Sequence, residues 1–557
     1  MEITEKSKDS NDRNIEMDIE QKEDNNEFSN NLSNDEIFNQ NNNNIFKIIQ
    51  KCKKEIIITL FALVIIIISL IILFIYLESS HDMCQEDEKC SLCDKNKNKC
   101  IKCTSGFKLS NGNCLINYSF KAIYKSNKIN DTVKLFNNLI YDIIEMIVND
   151  TIIKPNSIYK FPSAGNYSIF VLLDLSNCKN LSHMFNNLSN IMQISFSPLF
   201  KTDNIIDMSD MFNNCTSITS IDISHFSTEK VTNMKGMFSN CINLNFINVS
   251  NFNTGNVYNM NEMFYNCRKL KEIDTSNFNT EKVTNLKSLF HGCYSLTYID
   301  VHRFNTKNVI DMSYMFFNCI SLTSLNISNF NTQNVITMKN MFSNCIKIPS
   351  IDVSHFNTQN VISMSYMFAL CQKLTIIDIS SFNTQNVKYM DAMFKLNPRL
   401  ITINIGYMNC EKLINISNIF NACTDLVNIN ISKISGTYQL IDMSYMFSYC
   451  SKLTSIDVSN FNTENVKYMN NLFKSCSSLT SINLSNFNTK NVINMGNIFL
   501  DCKLLSYIDI SSFTNNNQSK IYISDFLSDS GVIKVNNNFL RYINNTIPNY
   551  WKIILVD

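Results

Sequence analysis

The chain holds few of the residues from which active sites are usually built. In 557 residues there are 10 glycines, 6 prolines, 1 tryptophan and 6 histidines. No Gly-rich phosphate loop, nucleophile elbow or H-E-x-x-H pair occurs, nor any paired catalytic carboxylates outside a repeated aspartate position. The histidines (His81, His183, His225, His291, His302 and His355) are scattered. His225 and His355 share a repeat position but lie five units apart, about 24 Å at the usual strand spacing. These absences weigh against an enzyme. The one catalytic alternative left is a glycan-acting protein that uses a column of aspartates. Net charge is lacking too, with 48 basic against 48 acidic residues. The balance hides an asymmetry, because residues 1–44 hold twelve acidic and four basic side chains. The compensating positives are spread thinly over the remainder, which excludes a nucleic-acid footprint.

One segment has no charge at all. Residues 56–77 read IIITLFALVIIIISLIILFIYL, 22 residues and enough to span about 30 Å of hydrocarbon. The segment starts too far along the chain for a cleaved signal peptide, so a retained single transmembrane helix is expected. Lys47, Lys51, Lys53 and Lys54 precede it, and Glu78, Asp82, Glu86, Asp87 and Glu88 come after it. The positive-inside rule then gives a type II plasma-membrane protein with its C-terminal part outside. Residues 1–50 read as a disordered acidic cytoplasmic tail. Beyond the span, Cys84, Cys90, Cys93, Cys100, Cys103 and Cys114 crowd into residues 84–114. An even count in an oxidising compartment predicts three disulfides of open connectivity, with zinc held by the two C-x-x-C pairs as the rival. Sequons at Asn117, Asn130, Asn149 and Asn166 are the expected glycosylation sites of a surface glycoprotein.

The rest of the chain is dominated by a 26-residue unit repeated from Cys215 to Cys502: C-x-x-L-x-x-I-D-I-S-x-F-N-T-x-N-V-x-x-M-x-x-M-F. Its Met-Phe phenylalanines fall at Phe212, Phe238, Phe264, Phe290, Phe316, Phe342, Phe368, Phe394 and Phe420. One inserted residue moves them to Phe447, Phe473 and Phe499, and a degenerate copy stands at Phe185. A fixed period of this length marks a solenoid, in which each unit buries its apolar face only against its neighbours. Alternation in L-x-x-I-x-I predicts a short strand. The stripe Val283, Leu286, Leu289, Phe290, Cys293 predicts a short helix. The expected fold class is therefore an α/β solenoid of leucine-rich-repeat coils, one strand and one helix each, over residues 181–510. An N-terminal cap at 115–180 (helix-like over Leu135 to Val148) and a C-terminal cap at 511–557 would close it.

M-F-x-x-C-x-x-L followed by F-N-T resembles the BspA-like leucine-rich repeats, and is closest to their mycoplasma-type variant. The resemblance implies a microbial surface protein engaged in adhesion, with an extracellular protein or glycan as ligand. Phe226, Phe252 and Phe330 stand where ordinary leucine-rich repeats carry asparagine, so the usual asparagine ladder is expected to be absent. A structural or antigenic coat protein that self-associates is the alternative reading.

Stacking turns each repeat position into a column. The outward strand position reads Asp222, Asn248, Asp274, Asp300, Asn326, Asp352, Asp378, Asn404, Asn430, Asp457, Asn483 and Asp509, and this column is the candidate binding face. The adjacent pairs Asp274–Asp300 and Asp352–Asp378 are expected to be solvated or bonded to nearby backbone; shared protons or a bound Ca²⁺ are the sharper alternatives. No other cofactor or metal is expected. A second column of cysteines, from Cys215 to Cys502 with Asn397 in the missing place, reads as reduced core thiols, because like positions stack too far apart for a disulfide.

Overall fold

The computed structural model describes residues 119–556 with breaks at 138–141, 176–177, 199, 515–529 and 544–545, and before them Ile67 and four short strands. The expected tail at 1–50 and span at 56–77 lie outside the described residues, apart from Ile67. Among the described residues no helix is long and apolar enough to cross a membrane. The strands and coils belong to one unit, Asp87–Asp557.

Residues 181–510 form a β-solenoid. The expected helix in each coil is absent, and the α/β assignment is corrected by the hydrogen bonding of the M-x-x-M-F-x-x-C segment. In the first full coil, alternate amides donate to the next coil: Met208 to the Asn233 carbonyl (3.0 Å), Asp210 to Lys235 (2.7 Å), Phe212 to Met237 (2.9 Å) and Asn214 to Ser239 (2.7 Å). The amides between them turn back three residues, Asn213 to Asp210 and Cys215 to Phe212, both at 3.1 Å. Two residues per coil, four apart, take left-handed backbone: Asp210 (φ 54°) and Asn214 (φ 60°), Gly236 (59°) and Asn240 (58°), and so on to Asn497 (56°) and Asp501 (62°). A helix requires every amide to reach the carbonyl four back with φ near −63°. Serial tight turns produce the same apolar spacing without it. Asparagine and glycine recur at the left-handed positions because they tolerate positive φ best.

This turn side carries the continuous ladder. Parallel bridges link Asn180 to Asp207, Asp207 to Asn233, and every following coil to Asn494. On the strand side and the turn that follows it, pairing between coils among the described residues is confined to Ile191–Phe196 with Ser220–Asp222, Ile376–Ile379 with Thr402–Ile405, Met408–Asn409 with Ile434–Ser435, and Ser481–Asn483 with Tyr507–Ile510. Elsewhere the bonds there are long, 3.3 Å from Thr297 to Lys271 and 3.4 Å from Thr375 to Pro349.

Between the two sides runs one apolar core. Thirteen phenylalanines from Phe185 to Phe499 stack with ring centroids 5.3–6.0 Å apart and planes within 22°. Each such pair adds about 0.5–1.5 kcal/mol beyond burial. The methionines fill the same stripe, fully buried, as deformable core.

At the N-terminal end Ser119–Ser126 lies antiparallel to both Gly165–Asp174 and Ile191–Phe196. The segment expected to be helical contains the strand Asp142–Val148 instead, paired with Gly165–Asp174. Thr151–Ile153 pairs with it across a tight turn on one side and the more distant Gly165–Asp174 on the other, and these partners satisfy its backbone. At the C-terminal end Gly531–Asn536 and Trp551–Val556 extend the parallel sheet, and the helix Asn537–Ile543 buries Phe539 and Ile543.

Candidate recognition face

The outward strand column is exposed over most of its length. In eleven of its twelve positions Oδ1 accepts the backbone N–H two residues on, from Ser224 to Asp222 (3.1 Å) through Ser354 to Asp352 (3.0 Å) to Ser511 to Asp509 (3.2 Å). These are Asx turns, and they lock every side chain of the column in one orientation. The exception is Asn404, whose amide donates to Asp378 Oδ2 at 2.9 Å.

The same contacts decide ionisation. The Ser276 hydroxyl, and then its N–H, hold the Asp274 carboxyl below the usual carboxylate range. Ser354, Ser380 and Ser459 do the same for Asp352, Asp378 and Asp457. For Asp300 the His302 ring leads, with Nδ1 2.5 Å from Oδ1. Repulsion from Asp300 is the smallest of the causes acting on Asp274, and that from Asp378 the smallest acting on Asp352, so the turn contacts outweigh the neighbouring charge in both pairs. Among the described residues no group of His, Cys, Asp and Glu is gathered that could hold a metal ion. Asp509 departs from the column. It is buried at 7% exposure beside the C-terminal strand, with Lys534 Nζ 3.7 Å from Oδ2.

Asparagine ladders are present, but at positions other than the one where ordinary leucine-rich repeats place theirs, which phenylalanine occupies here. Asn251, Asn277 and Asn329 donate to the carbonyls of Ser224, Ser250 and His302 in the preceding coil at 2.5–2.7 Å. A second row, Asn256, Asn308, Asn334, Asn360 and Asn386, does likewise at 2.7–2.8 Å. Between them the buried threonines of F-N-T donate forward, Thr254 to Asn279 and Thr306 to Asn331, both at 2.9 Å. The sequence signal was the N-x-x-x-x-N spacing around that threonine, as at Asn329 and Asn334. Its meaning depends on a carbonyl one coil away.

The eleven column cysteines are free and buried. Each thiol donates to the phenylalanine carbonyl of the preceding coil at 2.9–3.3 Å, from Cys215 to Phe185 through Cys502 to Phe473. Burial pushes the Cys215, Cys293, Cys371, Cys423 and Cys502 thiols up to about 12. Asn397 stands in the gap and reproduces the bond, its amide 2.8 Å from the Phe368 carbonyl.

In the cysteine-rich segment Cys90–Asp94 and Lys99–Cys103 form an antiparallel hairpin whose register sets Cys90 opposite Cys103 and Cys93 opposite Cys100. Cys84 and the sequon Asn117 lie outside the described residues. Asn130, Asn149 and Asn166 are exposed, the first two in turns and the third in a strand.

Two clefts open on the strand side. One, of about 550 Å³, sits against the N-terminal cap, lined by Lys121, Gln193, Asp222 and the half-exposed Phe246. The other, of about 540 Å³, crosses the coils that begin at Cys423, Cys450 and Cys476.

A family of repeat proteins described as "Mycoplasma protein of unknown function, DUF285" matches residues 166–271, 241–349, 321–434 and 414–529. The chain belongs to that family. Two solved structures resemble it. A leucine rich cell surface protein from Faecalibacterium prausnitzii A2-165 is 16% identical, with 66% of this chain and 86% of that one covered and a TM-score of 0.30. The functional domain of InlJ from Listeria monocytogenes, whose description mentions a cysteine ladder, is 15% identical, with 71% and 76% covered and a TM-score of 0.16. No curated protein matches the chain.

Proposed function

We propose that this DUF285 member is a cell-surface recognition protein. It is tethered through residues 56–77, with residues 1–50 in the cytoplasm, and offers its strand-side face to an extracellular protein or glycan ligand. One observation carries the reading: outside the buried Asp509, ten Asx turns hold side chains of a single register in a single orientation along the open strand-side face. Rigid repetition of that kind suits binding, because the side chains are ordered before a ligand arrives. Catalysis plays no part in this reading. The test displays the full chain on a heterologous cell and measures adhesion to host cells and matrix. Asp274→Lys with Asp352→Lys should abolish adhesion, and adhesion that persists unchanged refutes the reading. Asn277 is a poor probe, because its amide belongs to the inter-coil ladder.

A coat-like role rests on a different feature. Ile310, Ile336 and Ile362 stack as a stripe, 45%, 42% and 37% exposed, on the turn-side surface. Lateral packing of copies through that stripe predicts concentration-dependent sedimentation that Ile336→Lys removes.

A further inference from the structure

We propose that the cleft across the coils of Cys423, Cys450 and Cys476 binds a neutral oligosaccharide; this inference rests on the recognition reading and names its ligand class. The cleft arises from a local break in the repeat. The coil from Cys423 to Cys450 has one residue more than its neighbours. The extra residue is absorbed at the Ser435–Gly436 turn, where Gly436 has φ 75°. Ile434 replaces the usual phenylalanine there and Met408 does so one coil earlier, so the wide aromatic column narrows. No strand pairing joins the strand sides of coils 423, 450 and 476 among the described residues. Ile456 at the floor is only partly buried, whereas its counterparts Ile429 and Ile482 are 8% and 2% exposed.

The rim then alternates in hydrogen-bonding sense. Asn430 and Asn483 commit Oδ1 to the Asx-turn amides of Ser432 (3.1 Å) and Ser485 (2.9 Å), which leaves each Nδ2 to donate outward. Asp457, between them, commits Oδ1 to Ser459 (2.9 Å) and leaves Oδ2 to accept. Donor, acceptor and donor therefore succeed one another at roughly 5 Å, the spacing of stacked coils. Ser455, Ser481 and Asn428 add hydroxyls and an amide with no cationic group in the lining. The volume of about 540 Å³ falls within the range of about 300–1,000 Å³ used for small ligands.

An apolar floor under a ring of fixed donors and acceptors matches a pyranose, whose C–H face is apolar and whose hydroxyls both donate and accept. A peptide laid across the coils fits less well, since its like-facing groups recur at about 6.8 Å, two residues of extended chain. A sulfated or sialylated glycan would meet the Asp457 carboxylate with no counter-charge.

The experiment uses the full chain in detergent micelles, probed with maltohexaose, cellohexaose and mannohexaose beside sialyllactose and a heparin hexasaccharide. At least one neutral hexaose should bind, and the acidic probes should not. Asp457→Asn keeps the Asx turn, as asparagine does in the flanking coils, and should weaken binding at least tenfold. Ser455→Arg should fill the cleft and abolish binding, while Lys339→Gln, exposed in the turn-side segment of a coil outside the cleft, should leave it unchanged. Binding of no neutral probe, binding of the acidic probes alone, or neutral binding untouched by both cleft variants overturns the inference. If adhesion to cells survives in any of those cases, the recognition reading stands without it; if the chain adheres to nothing, that reading fails first.

Discussion

Replacing Asn397 by cysteine should stabilise the array. Asn397 is fully buried, and its Oδ1 has no hydrogen-bond partner. Its amide does what the thiols do elsewhere, donating to the carbonyl of Phe368 at 2.8 Å. The thiol at Cys423 meets Phe394 at 3.1 Å and Cys371 meets Phe342 at 3.2 Å, so a cysteine at 397 would inherit a working geometry on both sides. The substitution keeps the donor and removes the stranded acceptor, whose burial costs about 1–3 kcal/mol. The two side chains are close in size, so little cavity cost offsets the gain. The net stabilisation expected is about 1–2 kcal/mol. A long repeat array need not unfold in one step, so the readout should be local. Native-state hydrogen exchange at Phe394 and Leu396 serves, because their amides bond the next coil at Ile419 (2.9 Å) and Asn421 (2.7 Å). Their exchange should slow by about 5–30-fold, the equivalent of that free energy. Unchanged or faster exchange would show that Oδ1 costs nothing where it lies, and the ladder argument would fail with it.

Other perturbations test other parts of the coil. With their thiol pKa values raised by burial, those of Cys215, Cys293 and Cys371 to about 12, the eleven column cysteines should resist iodoacetamide at pH 7.5 in the native chain and react fully in guanidinium, as counted by intact mass. Leu396 carries its β-carbon at φ 59° and is 40% exposed; Leu396→Asn should raise the melting temperature through relief of about 0.5–1 kcal/mol of left-handed strain, and a fall would refute the turn geometry. The depressed carboxyls of Asp274, Asp352, Asp378 and Asp457 contribute stability that is complete above the unfolded value near pH 4 and is lost as pH falls through the lower folded values. Asp274→Asn with Asp352→Asn should therefore flatten the acid limb of a pH–stability curve below pH 4, with the variant less stable than the parent at neutral pH and the difference vanishing in acid, where the parent carboxyls are protonated.

Much of this was written in residue types at fixed register. Phe290, Met237 and Cys293 announce a buried stripe whatever backbone carries them, because burial is decided by side-chain chemistry and period. Asp352-Val353-Ser354 likewise contains its own Asx turn, a local contact between residues two apart. The helix was misjudged because the spacing of Val283, Leu286, Leu289 and Phe290 fits a helix and serial turns equally. The sharper clue was Asn or Gly just before each of the first six column cysteines, as at Asn266 and Gly292, where positive φ is least costly.

What only the tertiary structure decided is where each hydrogen bond goes. The amide of Phe212 could turn back within its own segment, yet it donates to Met237 because the next coil holds that carbonyl in reach. The same choice moved the continuous ladder to the turn side, made asparagines of no evident use into rungs, and left the strand side loose enough at Asp457 to open a cleft. Side-chain burial can be read from one coil in isolation. A bond between coils exists only once the neighbour is in place, 25 residues away along the chain.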